Sequence, residues 1–312
     1  MAGHDSHGPE AHEHTRGCHL LAGLLEDARP DIDAVVVSPG YPADSSVFED
    51  AAAVVVYCDG GGGHLLNNHL EAFDALMKKG VGLVQLHYGV ETTQGACGDK
   101  FLDWMGGYFE THWSVNPHWE ANFVTLPDHP ISRGVKPFKI LDEWYFHMRF
   151  RPEMENVTPI LTAIAPAETM QRGDGPHSGN PDVRADVAAG VPQHLAWAAT
   201  RPDGGRGFGF TGGHFHRNWQ DDNFRTVVEN AICWAANLEI PAEGIRTHTP
   251  TDEEMQDRNL YVSQRDALQA LEDSVTDYLP VRNFDLHEGL EIKLWAKSPL
   301  FFNPTNMDID QR

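Results

Sequence analysis

Residues 80–87, GVGLVQLH, decide the fold of this chain. Their continuous apolar run is typical of a strand buried on both faces, and the glycine at its start ends a helical pattern over residues 65–79. Similar strand patterns occupy residues 34–37, 53–57 and 207–210, and a second helical pattern occupies residues 221–236. Strands that alternate with helices predict an α/β fold with a doubly wound, mostly parallel sheet.

The composition excludes several classes of partner. The chain has 312 residues and a formal net charge of −23, from 46 acidic and 23 basic residues. A surface this acidic repels phosphate backbones and anionic lipids, so we expect neither a nucleic-acid nor a membrane partner. No apolar run approaches the about 20 residues that span a bilayer, and the first residues do not have the pattern of a signal peptide. We therefore expect a soluble globular protein, whose compartment and homo-oligomeric state the sequence leaves open.

Composition also divides the chain into regions. Residues 1–240 carry the alternating pattern, and within them residues 108–200 are rich in Trp, Pro, His and Gly, which predicts a β-rich insertion over the strand ends. Residues 241–283 are polar and predict an acidic linker, and an apolar alternation over 284–312 predicts the truncated start of another domain. Because a doubly wound domain normally opens with a buried strand, and only three residues precede His4, we expect a fragment of a longer protein.

Histidines follow the predicted strand ends. His7, His12 and His14 lie where the first helix should begin, and His87 with Tyr88 directly follows the 81–86 strand. Ligands of open α/β sheets bind at this edge, and imidazole with carboxylate suits zinc or a similar divalent ion. A solvated His-rich terminus and a hydrogen-bonded structural His87 are the alternatives. The strand-to-helix turn at His87 is where related hydrolases carry Ser or Cys, so a nucleophilic mechanism, with Cys97 as the remaining candidate, is disfavoured.

The last strand also runs into glycines and histidines, in GFGFTGGHFH over residues 207–216. Glycine there allows a ligand to approach the backbone closely. We expect His214 to lie in the pocket and His216 to support it from behind. After the 53–57 strand, Asp59 and His64 flank four glycines; no Lys-Ser/Thr follows, which excludes a P-loop, and we expect both residues at the pocket rim.

An acidic residue among aromatic residues, Glu143, completes the predicted site. A carboxylate framed by aromatic rings is typical of sugar sites, because flat rings stack on sugar faces while acids bind hydroxyls or a metal. The alternative is an aromatic core segment with acids at its surface. The aromatic residues assigned to substrate binding are Trp113, Trp144, Tyr145 and Trp219.

Four ordered segments together resemble the ThuA-like, trehalose-utilisation family over about residues 3–240: residues 83–87, His129-Pro130-Ile131 with Gly134 and Phe138, residues 142–145, and residues 207–234. The resemblance implies a flavodoxin-like fold similar to class I glutamine amidotransferases, without their catalytic cysteine. The His-rich and Gly-rich segments are similar to a planctomycete-type subgroup that is often exported to the periplasm and fused to a sugar-dehydrogenase-like propeller. Residues 284–312 are similar to the truncated start of this propeller, so the resemblance implies a fused or associated dehydrogenase as a partner.

Two functions follow from the residues and the resemblance together. In the first, a divalent metal, zinc by preference, is held by His87, Glu143 and His214 and promotes cleavage or isomerisation of a 3-keto disaccharide or glycoside, with His12 as a further catalytic residue. His7, His14 and the other rim residues named above would bind this small-molecule carbohydrate. In the second, the chain is a non-catalytic sugar-binding or docking module that serves the dehydrogenase.

Overall fold

In a computed structural model of the protein, the described residues are 1–255 and 260–270. The chain divides into two compact units, Met1–Tyr261 and Val262–Arg312. In the second unit residues 264–270 are helical; residues 256–259 and 271–283 of the predicted linker, and the predicted domain start at 284–312, lie outside the described residues. The first unit extends past residue 240, because Ile240, Ile245 and Met255 are buried in its core.

A central sheet with flanking helices forms the first unit. Its helices are α1 (His14–Ala28), α2 (Leu70–Met77), α3 (Ala96–Met105), α4 (Pro181–Ala189) and α5 (Asp222–Ala235). Its strands are β1 (Ala53–Tyr57), β2 (Gly82–Leu86), β3 (Gly107–Tyr108), β4 (Trp119–Phe123), β5 (Phe138–Asp142), β6 (Arg149–Phe150), β7 (Val157–Ala163), β8 (Gln193–Thr200) and β9 (Arg206–Phe210).

The central sheet has five strands in the order β1-β2-β9-β8-β7. β1, β2 and β9 pair in parallel, whereas β8 is antiparallel to both β9 and β7, so four of the five strands run in one direction. The prediction of an α/β fold with a mainly parallel sheet is confirmed. Every residue of β2 is buried, as its continuous apolar run predicts.

The segment 34–37 was predicted as a strand, and this prediction is wrong. It forms no strand, and Val35 is 69% exposed. The neighbouring position beside β1 is taken by residues 1–3, where Ala2 pairs with Tyr57 and donates its N–H to the Val37 carbonyl at 2.9 Å. Residues 1–3 are too few to give residues 34–37 the backbone hydrogen-bond partners that a strand needs. Residues 34–37 therefore form no strand, although they have a high strand propensity.

The strands of the predicted β-rich insertion belong partly to small separate sheets and partly to the central sheet. β4 and β5 form an antiparallel pair, and β3 pairs with β6, both outside the central sheet. β7 and β8, in contrast, are central strands. The β4–β5 pair matters for function, because the chain leaves β5 directly into Glu143.

Among the described residues, none of the helices combines the length and the apolar character needed to cross a membrane.

Candidate active site

Four buried side chains from distant parts of the chain meet at the carboxyl ends of the parallel strands: His12, His87, Glu143 and His214. Each offers one ligand atom, and these atoms all lie within 4.8 Å of one another. His12 Nε2 is 3.1 Å from His87 Nε2 and 3.0 Å from His214 Nδ1. Glu143 Oε2 is 3.0 Å from His214 Nδ1 and 3.5 Å from His87 Nε2. We call these four residues the His/Glu cluster.

Strained backbone turns direct two of the histidines into the cluster. His87 follows β2 with φ +50°, and His12 precedes α1 with φ +49°. Residues other than glycine rarely adopt this left-handed conformation, and it costs on the order of 1–3 kcal/mol when they do. Strain of this kind concentrates at functional sites, so two strained histidines that face each other support a functional reading of the cluster.

Asp142 fixes the positions of the other two members. Its buried carboxylate accepts hydrogen bonds from the backbone N–H groups of Gly213 at 2.9 Å and His214 at 3.0 Å, and from Asn218 Nδ2 at 2.9 Å. Gly213, at φ +108°, makes the turn that a side chain would strain. Because Asp142 directly precedes Glu143, one residue couples the end of β5 to the loop that carries His214.

The hydrogen bonds behind the cluster determine which nitrogens face it with lone pairs. His87 Nδ1 lies 2.8 Å from the Thr211 carbonyl, which can only accept, so this nitrogen carries the proton and Nε2 presents a lone pair when the ring is neutral. His12 Nδ1 faces Asp59 and Ser6 at 3.4 and 3.2 Å, which also favours a lone pair at Nε2. A proton shared between two of these nitrogens pairs only those two lone pairs. A cation at the centre of the cluster would interact with all the lone pairs that face it.

The charge of the cluster is concentrated on Glu143. Burial alone would raise the pKa of Glu143, but the surrounding imidazoles of His12, His214 and His87 outweigh burial and hold this pKa well below its usual range. Burial lowers the pKa of His87 to about 3, so its ring is neutral at pH 7. The cluster therefore combines an ionised carboxylate with a neutral imidazole, the protonation states that metal binding requires.

The distances fit a divalent metal. Zinc binds imidazole nitrogen and carboxylate oxygen at about 2.0–2.2 Å, so neighbouring ligand atoms of a tetrahedral site are about 3.4 Å apart. The separations between the cluster's ligand atoms given above range from 3.0 to 3.5 Å, and the His12–Glu143 separation is 3.9 Å. The Thr211 carbonyl and Asp59 act on the outer nitrogens in the way that outer partners orient metal-binding histidines.

The structure brings several predicted substrate-binding residues to the cluster. Tyr145 Oη lies 3.0 Å from His87 Nε2 and donates to Glu143 Oε2 at 3.3 Å. Tyr88 is half-buried, with its ring 5.6 Å from that of His12. His7 is exposed and packs its ring 4.0 Å from His12, and Asp59 lies beside both histidines. His7, Asp59 and Tyr88 form the solvent-facing side of the cluster, whereas Tyr145 is buried.

Three histidines that were predicted to bind substrate lie outside the cluster. His14 is buried behind His12, with Nδ1 at 2.8 Å from the His4 carbonyl and its ring against Tyr57. His64 is buried against Phe101, and Nε2 bonds to Gln85 and to the Gly89 carbonyl, so the prediction that it lies at the rim is wrong. His216 is buried at the start of a short helical turn and is not part of the cluster.

The tryptophans do not line the cluster as expected. Trp144 is fully buried among Phe123, Phe210 and Phe224, and Trp219 is fully buried against Tyr57 and Phe224. Both belong to the hydrophobic core, so their assignment to substrate binding is wrong. Trp113 is half-buried, stacked between His147 and the Arg149 guanidinium.

Sequence patterns missed other polar residues around the cluster. Asn116 donates to Glu143 Oε1 at 3.1 Å, and the ring of the exposed His118 lies 4.8 Å from that of His214. Glu91 is buried and bonded to His177, which comes from the loop before α4. None of these residues stands in a recognisable motif. Only the position of Glu91, four residues after His87, could have suggested that it lies near the site.

The fold and the cluster together define an α/β protein with a histidine–carboxylate site at the carboxyl edge of its sheet. The chain belongs to the ThuA family, described as trehalose utilisation, whose family model matches residues 6–235. A search of curated proteins finds no match.

Two solved structures are similar to this chain. One is a ThuA-like protein from Bacteroides uniformis ATCC 8492, with 15% identity and a TM-score of 0.49 over 74% of this chain and 88% of that one. The other is a ThuA-like protein from Parabacteroides merdae ATCC 43184, with 15% identity and a TM-score of 0.48 over 77% of this chain and 93% of that one.

Proposed function

We propose that this protein is a carbohydrate-processing enzyme that uses a divalent metal, zinc by preference, to cleave or isomerise a 3-keto disaccharide or glycoside. The observation that carries the proposal is the convergence of three imidazoles and one carboxylate within 4.8 Å. The family's link to trehalose utilisation gives the substrate class. The scaffold would be the flavodoxin-like, amidotransferase-like sheet that the sequence predicts.

His87, Glu143 and His214 would hold the ion, because their ligand atoms are buried and each is fixed from behind. A bound zinc ion supplies Lewis-acid polarisation of the sugar carbonyl, which acidifies the hydrogen on the neighbouring carbon. His12 lies on the side of the cluster that faces the exposed His7. We assign His12 Nε2 as the base that takes this proton, since Asp59 orients the opposite nitrogen, as in catalytic His–Asp pairs.

Substrate hydroxyls would bind the solvent-facing side of the cluster. His7, Asp59 and Tyr88 offer an imidazole, a carboxylate and a phenol there, and Asp59 also accepts a hydrogen bond from Ser6 Oγ at 2.7 Å. Burial raises the pKa of Tyr88 to about 12, so its hydroxyl remains a hydrogen-bond donor at neutral pH. Donors and acceptors on one face match the alternating character of sugar hydroxyls.

The direct test is turnover of a 3-keto disaccharide by the zinc-loaded protein. We expect turnover that a chelator abolishes and added zinc restores, while the unoxidised disaccharide remains unchanged because it has no carbonyl to polarise. No turnover of the 3-keto sugar with or without chelator would contradict the proposal.

The competing proposal is a non-catalytic sugar-binding or docking module that serves a fused or associated dehydrogenase. The site would then bind the oxidised sugar without changing it. Calorimetry with plain and 3-keto sugars separates the two: binding without turnover favours the module, and no binding of either sugar contradicts both functions.

A further inference from the structure

A second histidine–carboxylate pair lies beside the His/Glu cluster and has no role in it. His177 Nε2 lies 2.9 Å from Glu91 Oε1 and 3.1 Å from Glu91 Oε2. The Glu91 side chain is only 3% exposed, whereas that of His177 is 35% exposed. A buried carboxylate that holds an accessible imidazole by one nitrogen is the arrangement of an oriented acid–base residue.

The pair leaves the other nitrogen of His177 available. Both carboxylate oxygens of Glu91 can only accept, so Nε2 carries a proton, and no hydrogen bond to His177 Nδ1 is found within residues 1–255 and 260–270. The hydrogen bond to Glu91 raises the pKa of His177. Burial and the charge of Arg172 lower the pKa of His177 by less than this, and the charge of Glu143 raises it further. A larger share of the rings therefore carries two protons near neutral pH.

Two sets of contacts place His177 next to the cluster. Asn116 donates its backbone N–H to the His177 carbonyl at 3.0 Å and its side-chain N–H to Glu143 at 3.1 Å. The His177 ring also stacks on Phe109 with ring centres 5.3 Å apart, and Phe109 in turn contacts Tyr145, whose hydroxyl lies 3.0 Å from His87 Nε2. One bound disaccharide could therefore contact both the cluster and His177.

We propose that His177, oriented by Glu91, is the general acid that protonates the departing glycosidic oxygen. The inference rests on the proposed function, since it needs a 3-keto glycoside with its carbonyl at the cluster. It also gives a catalytic role to His177 and Glu91, which contribute no atom to the His/Glu cluster.

The proton and electron balance is closed within the substrate, the two histidines and water. His12 takes the hydrogen on the carbon beside the carbonyl, and that C–H electron pair forms a carbon–carbon double bond to the anomeric carbon. The glycosidic C–O bond breaks, its electrons go to the departing oxygen, and His177 Nδ1 supplies the proton. Water then adds across the double bond: its hydroxyl goes to the anomeric carbon and its other proton to His177, while His12 returns its proton to the neighbouring carbon.

The test compares two leaving groups in the zinc-loaded wild type and in His177→Gln. A sugar alkoxide needs protonation to depart, whereas a nitrophenolate does not. We expect His177→Gln to lower kcat about 10²–10⁴-fold on a 3-keto disaccharide. On the nitrophenyl 3-keto-glucoside kcat should fall less than tenfold, with zinc content unchanged. His248→Gln is the matched control, because His248 also pairs with a glutamate, Glu254, at 3.1 Å.

Equal losses on both substrates, or no loss on either, would overturn the acid role while the proposed function stands. No turnover of either substrate by the wild type would overturn both. A readout independent of turnover is the His177 pKa measured by NMR in the metal-free protein. Glu91→Gln should lower this pKa, because the carboxylate no longer favours the protonated ring. An unchanged titration would show that Glu91 does not control the acid.

Discussion

His64 and His87 are two buried histidines that follow neighbouring parallel strands at the same edge of the sheet, yet they differ in what their nitrogens face. His64 Nε2 lies 2.9 Å from both Gln85 Oε1 and the Gly89 carbonyl, and Nδ1 accepts from the Leu66 N–H. His87 uses only Nδ1 in such a bond, and Nε2 faces His12, Glu143 and Tyr145. The end of a strand thus places a histidine at the edge of the sheet. The hydrogen-bond partners of its ring then determine whether the histidine has a structural or a chemical role.

The largest expected difference between the two histidines is in metal affinity. His87→Ala removes one ligand from the cluster, and we expect zinc affinity to fall by more than the about 10–100-fold that loss of an outer partner costs. His64→Gln should retain the wild-type affinity, because His64 contributes no atom to the cluster. Elemental analysis and calorimetry of both variants measure the effect. Equal affinities of His87→Ala and wild type would show that the cluster is not a zinc site.

A smaller effect is expected where the chemistry of the cluster depends on an outer partner. Asp59→Asn weakens the hold on His12 Nδ1 and keeps the shape of the side chain. We expect turnover of the 3-keto sugar to fall about 10–100-fold, because a less well oriented His12 takes up the proton less efficiently, with zinc still bound. Asp44→Asn, at an exposed carboxylate that caps Ser46, is the control. Unchanged turnover of Asp59→Asn would contradict the assignment of His12 as the base.

The smallest effect tests the structural side of the comparison. Burial lowers the pKa of His64 from 6.5 to about 4, so the neutral ring stabilises the fold above pH 6.5 and this stability is lost as the pH falls towards 4. Between pH 7 and 5.5 we expect His64 to account for about 1 kcal/mol of the loss in unfolding free energy. Urea unfolding at both pH values should give His64→Gln a shallower pH dependence than wild type, and identical slopes would refute this role.

The fold was largely predictable because its central parallel strands are buried on both faces and therefore have continuous apolar sequences. The apolar runs that predict β1, β2 and β9 and the pattern that predicts α5 all match the structure within one or two residues. The failure at 34–37 has the opposite cause: a strand also needs a partner with free backbone groups, which propensity does not reveal.

The cluster was predictable in part. His87 and His214 end buried strands, and this position alone places them at one edge of the sheet. Trp144 and Trp219 could not be told apart from ring residues of a sugar site, because an aromatic side chain is equally suited to a core or a binding surface. His177 gave no signal, since its partner Glu91 lies 86 residues away in the chain.

The sequence by itself determined the buried parallel strands and the histidines that follow them, because the burial of a strand is visible in its local apolar pattern. Only the tertiary structure decided which of these histidines direct lone pairs towards a common point, since that depends on hydrogen bonds between distant segments. His12 and His214 are in contact although 202 residues separate them in the chain. Sequence motifs of fixed spacing cannot predict a contact over such a separation.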